Sequence, residues 1–170
     1  AKTIKQWISI LEASYPIFSL PSYFENFGKR MIKSPKYYSA DTVLLCYVLN
    51  IEKEEHVSRD PLVGYLFENL FILEALNSHY NQGSSPDLYF SSEGHEIDLL
   101  WVSGGRLNGV EIKAASTSTS GFKKEQLRFS DKVAPLAKAS VGCDGDPTQF
   151  SDGVSAVHYT ETGSLFYPLN

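Results

Sequence analysis

The sequence predicts an α/β fold: a mixed-sheet core in the order helix, three strands, helix, strand, preceded by a helix and a short two-stranded wing. Three observations carry that prediction. A long apolar helical run begins at Pro61, and the segments GHEIDLLWV (94–102) and GVEIKA (109–114) alternate as strands on either side of Ser103-Gly104-Gly105-Arg106. A Ser/Thr-rich stretch, Ser116 to Ser120, then leads into another helix and strand. With 170 residues, 42% of them hydrophobic, the chain can bury one sizeable core or two small ones.

At the amino end, Ile4, Trp7, Ile8 and Leu11 follow the i, i+3, i+4, i+7 spacing, so Thr3 to Ser14 reads as an amphipathic helix that needs a partner surface. No upstream residues supply one, and the chain therefore reads as a piece of a longer protein. Two aromatic-rich extended stretches, 15–24 and 29–40, follow, punctuated by Pro16, Pro21 and Pro35. A helix followed by such a wing is the ending of a winged-helix unit. This part is placed at residues 1–56, with the first 50 expected to pack separately around Trp7 and to expose Lys29, Arg30, Lys33 and Lys36. Asp41 caps a short helix, Thr42 to Leu49, and acidic Glu52 to Glu55 read as a linker.

The second part, residues 57–170, opens with Asp60 as cap and Pro61 at the first position of a helix running to about His79. Leu62, Val63, Leu66, Phe67, Leu70, Phe71, Ile72 and Leu73 make most of its faces apolar, which puts this helix at the centre of the fold. Glu68 lies among Gly64, Tyr65, Phe71 and Ile72 and needs a reason there, because an unpaired buried charge is costly. One such reason is a lysine or arginine partner at a domain interface. Strands are expected at Leu88 to Ser91, His95 to Val102 and Leu107 to Ala115, then a helix from Phe122 to about Ala134 and a strand from Lys138 to Gly142. Beyond a Gly/Asp-rich loop (143–153), VSAVHY and SLFYPL read as a terminal hairpin around Glu161-Thr162-Gly163.

A turn centred on Gly104-Gly105 makes paired positions sum to 209, so Asp98 stands opposite Glu111. Two carboxylates so placed repel, and a divalent metal, the Lys113 ammonium or a shared proton would relieve them. Lys113 has a plainer use as the neutralising neighbour of Glu111. Gln126, and Lys123, Lys124, Arg128 and Lys132 on the following helix, are weaker candidates for substrate contact. His56, His79, His95 and His158 have no ligand spacing, and the loop around Asp144 and Asp146 lacks the spacing of a calcium loop.

The element order, with Glu68, Asp98 and Glu111-Ile112-Lys113, resembles the restriction-endonuclease-like PD-(D/E)XK fold. More specifically, TIKQWISILEASY, KSPKYYSADT, GYLFENLFILEAL, GHEIDLLW, GVEIKA and VGCDGDPTQ resemble a domain of unknown function at the carboxyl end of prokaryotic AAA-type ATPases. The resemblance implies a nuclease-like core behind a winged-helix remnant and an ATPase domain upstream. ATP would bind only in that upstream domain, since this chain has no G-x-x-x-x-G-K-[ST]. Residue by residue, it implies Asp98, Glu111 and the Ile112 carbonyl as ligands of Mg²⁺ or Mn²⁺, Glu68 at the metal or its water, and Lys113 as the residue that positions or activates water. Ile97 stands where the family name has proline.

Net charge is -5, split as +4 over residues 1–40 and -9 over the rest, so a basic flank is available to phosphate on an acidic body. Two cysteines far apart, Cys46 and Cys143, suggest neither a disulfide framework nor a zinc site. Without an apolar run of membrane-spanning length or a leader, the chain reads as cytoplasmic, with no membrane partner. Two function classes follow: a metal-dependent nuclease with DNA favoured over RNA, or a non-catalytic module binding nucleic acid or a partner under control of the upstream ATPase domain.

Overall fold

An apolar helix packed on one face of a six-stranded sheet organises the chain. The computed structural model describes residues 2–23, 34–91, 96–115, 124–150 and 153–167. In order they form α1 (Lys2–Ala13), β1 (Ile17–Leu20), β2 (Lys36–Ser39), α2 (Thr42–Val48), one-turn α3 (Glu54–Val57), α4 (Val63–Asn81), β3 (Leu88–Ser91), β4 (Ile97–Ser103) and β5 (Arg106–Ile112). There follow α5 (Lys124–Lys132), β6 (Lys138–Cys143), β7 (Thr148–Gln149), β8 (Ser155–His158) and a 3-10 helix, Tyr159–Leu165. The large sheet runs β3-β4-β5-β6-β8-β7. Its first three strands are an antiparallel meander, and β6 joins β5, and β8 joins β6, in parallel. Parallel neighbours need a crossover, which α5 supplies between β5 and β6. The fold is thus mixed α/β, and from residue 61 onward the helix, three strands, helix, strand order holds.

Alternation along the strands distributes the core to two faces. Leu99, Trp101, Val110 and Ile112 pack with Phe71 and Ile72 of α4, while Leu100 and Leu107 pack with Phe129 of α5. Gly104 and Gly105 both take left-handed φ, +57° and +72°, as a two-residue turn between right-twisted strands requires. Pairs from Leu99↔Val110 to Ser103↔Arg106 follow, and each sums to 209 as predicted. β6 approaches α4 so closely that a Cβ at Gly142 would collide with the Phe71 ring.

Several expectations need correction. Trp7 is 67% exposed, and Ile4 and Ile10 are also exposed, so α1 is amphipathic without a core of its own. β1 and β2 do pair antiparallel, but Leu20 and Tyr38 join the core of α4 and the large sheet, so this segment is not packed separately around Trp7. The Glu52 to Glu55 linker runs into the turn of α3. α4 begins at Val63 rather than Pro61; Asp60 Oδ1 accepts the Leu62 amide at 2.8 Å in a turn ahead of the helix. The terminal hairpin is absent among the described residues. His158 Nδ1 accepts the Thr160 amide, the chain closes into the 3-10 helix, and Tyr159 sets its ring edge against Phe67 of α4. Residues 29, 30, 33, 95, 122 and 123 lie outside the described residues.

Candidate functional site

The β4–β5 register, carried one step beyond Leu99↔Val110, brings Asp98 opposite Glu111. The main-chain ladder stops there, and Asp98 Oδ2 takes the Ile112 amide at 2.8 Å instead. Both acids are buried, at 7% and 6% exposure. Lys113 Nζ donates to Glu111 Oε1 at 2.5 Å, whereas Glu111 Oε2 is buried with no hydrogen-bond partner among the described residues. An orphaned buried carboxylate oxygen is uncommon and calls for a physical reason.

Glu68 reaches the same place from α4, one turn before Phe71, whose fit over Gly142 sets how near the helix lies to the sheet. Its Oε1 accepts from Tyr38 Oη at 2.6 Å and from Lys36 Nζ at 3.0 Å. The Lys36 ammonium also stands 3.3 Å from Glu96 Oε1 and 3.8 Å from Asp98 Oδ1, and 5.3 Å from the centre of the Phe90 ring. β2 is fixed to α4 by Asn69, whose side chain accepts the Ser39 amide at 2.7 Å and donates to the Ser39 carbonyl at 3.1 Å. Lys36 is therefore not the exposed phosphate-docking lysine the charge pattern suggested. The partner expected for a helix carboxylate exists and comes from the amino-terminal hairpin.

Burial pushes the Asp98 carboxyl up to about 6, aided by Glu68 and opposed by the Ile112 amide and both lysines. Burial likewise raises Glu111, to about 7, with Asp98 adding and Lys113 opposing. Dehydration pulls the ammoniums of Lys36 and Lys113 down, but their carboxylate partners outweigh it and leave both above the ordinary lysine value. Two acids held partly protonated beside two firmly charged lysines form a site short of positive charge.

Glu68, Asp98, Glu111, Ile112 and Lys113 all line one cavity of about 1180 Å³, together with Lys36 and Glu96. Leu44, Val48, Leu62 and Tyr65 are among its apolar lining residues. Gln126 lies elsewhere, fully buried and donating to the Ser140 carbonyl, and neither His56, His79 nor His158 lines the cavity. Asp144 faces His158 at 3.5 Å, not a metal cage. The sequence did not mark Tyr38, Asn69, Glu96 or Gly142 for the site, and it offered Lys36 only as an exposed basic residue. Only Lys36 left a signal, as a charge in an aromatic strand.

Among the described residues no three His, Cys, Asp or Glu side chains form a group able to cage a metal. Mg²⁺ needs less, since it is commonly held by one or two carboxylates and keeps several waters. Asp98 and Glu111 offer hard oxygens, and the unpartnered Glu111 Oε2 has no hydrogen bond to give up, so the residues present fit such an ion.

A mixed α/β domain with a lysine-compensated acidic cavity is the class that fold and site define. Residues 63–162 match the family described as "Domain of unknown function (DUF4143)", and the chain belongs to that family, which is often found in the carboxyl-terminal region of AAA-ATPase-type proteins. Residues 1–55 match "Domain of unknown function (DUF8612)". Uncharacterised proteins of Mycobacterium bovis and Mycobacterium tuberculosis are each 34% identical over 156 residues, covering 91% of this chain and 34% of theirs. The chain thus spans about a third of the length of these curated relatives. No solved structure matches it. Among the described residues no helix is long and apolar enough to cross a membrane.

Proposed function

We propose that this chain is a restriction-endonuclease-like domain, preceded by a winged-helix remnant and carried by an AAA-type ATPase, that hydrolyses DNA phosphodiester bonds with Mg²⁺ or Mn²⁺. The observation that carries the reading is the unpartnered, buried Oε2 of Glu111 beside Asp98 in an open cavity. Asp98, Glu111 and the Ile112 carbonyl would hold the ion, with Glu68 near its water shell. A bound divalent ion supplies Lewis-acid charge and a water of lowered pKa.

The chain's own groups do the rest. The Ile112 amide fixes the Asp98 carboxylate, Lys113 holds one oxygen of Glu111 and leaves the other free to bind an ion, and its ammonium would offset charge growing on a phosphate under attack. A second reading, a non-catalytic binding module under an ATPase's control, is favoured by one observation: Lys36 and Tyr38 already satisfy an oxygen of Glu68. Titration of Mg²⁺ and Mn²⁺ with plasmid and single-stranded DNA decides between them. Saturable ion binding with cleavage supports the nuclease, and a folded protein that binds neither ion at millimolar concentration supports the module.

A further inference from the structure

α1 buries none of its residues. Its apolar stripe, Ile4, Trp7 and Leu11 at i, i+3 and i+7, faces solvent along the whole helix. Leu11 also lines the cavity, and that lining continues through Val48 of α2 to Tyr65 in the first turn of α4. Val48 is 72% and Tyr65 71% exposed. Single apolar residues are scattered over any soluble domain, but a run of them along two helices and a cavity marks a contact surface. Two findings say what covers it. The mycobacterial relatives match over only 34% of their length, so about two-thirds of such a polypeptide lies outside this stretch. The family is often found in the carboxyl-terminal region of AAA-ATPase-type proteins, which puts the remainder ahead of the domain, on the side of α1. A partner on the same polypeptide is present at an effective concentration in the millimolar range, so a face of modest affinity suffices.

We propose that the ATPase part of the polypeptide docks on the apolar face formed by α1, α2 and the beginning of α4. Because that face runs into the cavity that holds Asp98, Glu111 and Lys113, the docked part also restricts what reaches them. The proposal rests on the reading that an AAA-type ATPase carries this domain, and not on the nuclease chemistry.

Hydroxyl-radical footprinting of the whole polypeptide against the 170-residue chain tests it. In the whole polypeptide, labelling of Trp7, Tyr47 and Tyr65 should fall about tenfold, as for a docked state that dominates the population. Tyr80, 60% exposed at the far end of α4, should label equally in both and serves as the control. The double variant Trp7→Glu, Val48→Glu changes only exposed side chains, so it should keep the wild-type melting profile and restore the labelling of Tyr65. Equal labelling of the face in the two proteins overturns the proposal, as does protection that grows with the concentration of the 170-residue chain, since a second copy is then the occupant. A polypeptide without an ATPase part overturns the proposal together with the reading it rests on. Under the nuclease reading the double variant should also cleave plasmid DNA faster than the wild-type whole polypeptide. Absence of cleavage from every form sinks that reading and leaves the footprint to decide the docking.

Discussion

At the Lys36 end of the cavity three carboxylates surround one ammonium, and the tyrosine beside it donates to the same Glu68 oxygen as the lysine. At the Lys113 end one oxygen of Glu111 is paired and the other is buried with no partner among the described residues. The first cluster is assembled by tertiary packing between a hairpin and a helix, the second by strand register alone. One ammonium thus serves three carboxylates at the first end, and one serves a single oxygen of Glu111 at the second. The end with the open Glu111 oxygen is the one proposed as the seat of the chemistry.

The largest effect expected is at the residue shared by both ends. Asp98→Asn should abolish Mn²⁺ binding in calorimetry and cleavage of plasmid DNA, whereas Lys113→Ala should bind the ion and lose cleavage by roughly 10²- to 10³-fold, the usual cost of one donor to a developing oxyanion. Equal loss of ion binding in both variants would break the division between ligand and positioning lysine.

Next comes the dependence on pH. Unfolded chains release the Asp98 and Glu111 protons near pH 4, while the folded protein keeps them to about 6 and 7. Because the folded state then binds more protons, stability falls as pH rises from about 4 to about 7, by at most roughly 2–3 kcal/mol for each carboxyl. Urea denaturation across that range should show the slope, and Glu111→Gln should flatten it. A wild-type profile that rises through this window would contradict the raised carboxyls.

A smaller effect probes what brings the two ends together. Gly142→Ala should cost about 1–3 kcal/mol by pushing the Phe71 ring and α4 off β6, and should also weaken ion binding by drawing Glu68 away from Asp98. Phe71→Leu in the same chain should restore part of both. Smallest is Tyr38→Phe, about 1 kcal/mol in denaturant unfolding, because Lys36 still satisfies the same Glu68 oxygen.

The strand-register cluster was legible in the sequence because its cause is local. Two glycines fix the turn, the turn fixes the sum of paired positions, and period-two alternation sends Asp98 and Glu111 the same way. Lys36 lies 62 residues before Asp98, and nothing in its own segment reports the Asn69 clamp that points it into the cavity. Trp7 misled for a related reason: helical periodicity shows that a face is apolar, not that anything covers it. At the carboxyl end, alternation suggested a strand, but the cap from His158 and the packing of Tyr159 on Phe67 favoured a tight helix.

The segment that follows β1 has one more consequence. The Phe90 amide donates to the Pro21 carbonyl, and the Tyr23 amide donates to the Phe90 carbonyl, so a few residues from the start of the chain lie along the outer border of β3. The opposite border ends in β7, a strand of two residues. A long bare border invites another chain to add itself as the next strand, and short or covered ones discourage it. The hairpin that brings Lys36 to the cavity therefore also guards the sheet against templated self-association.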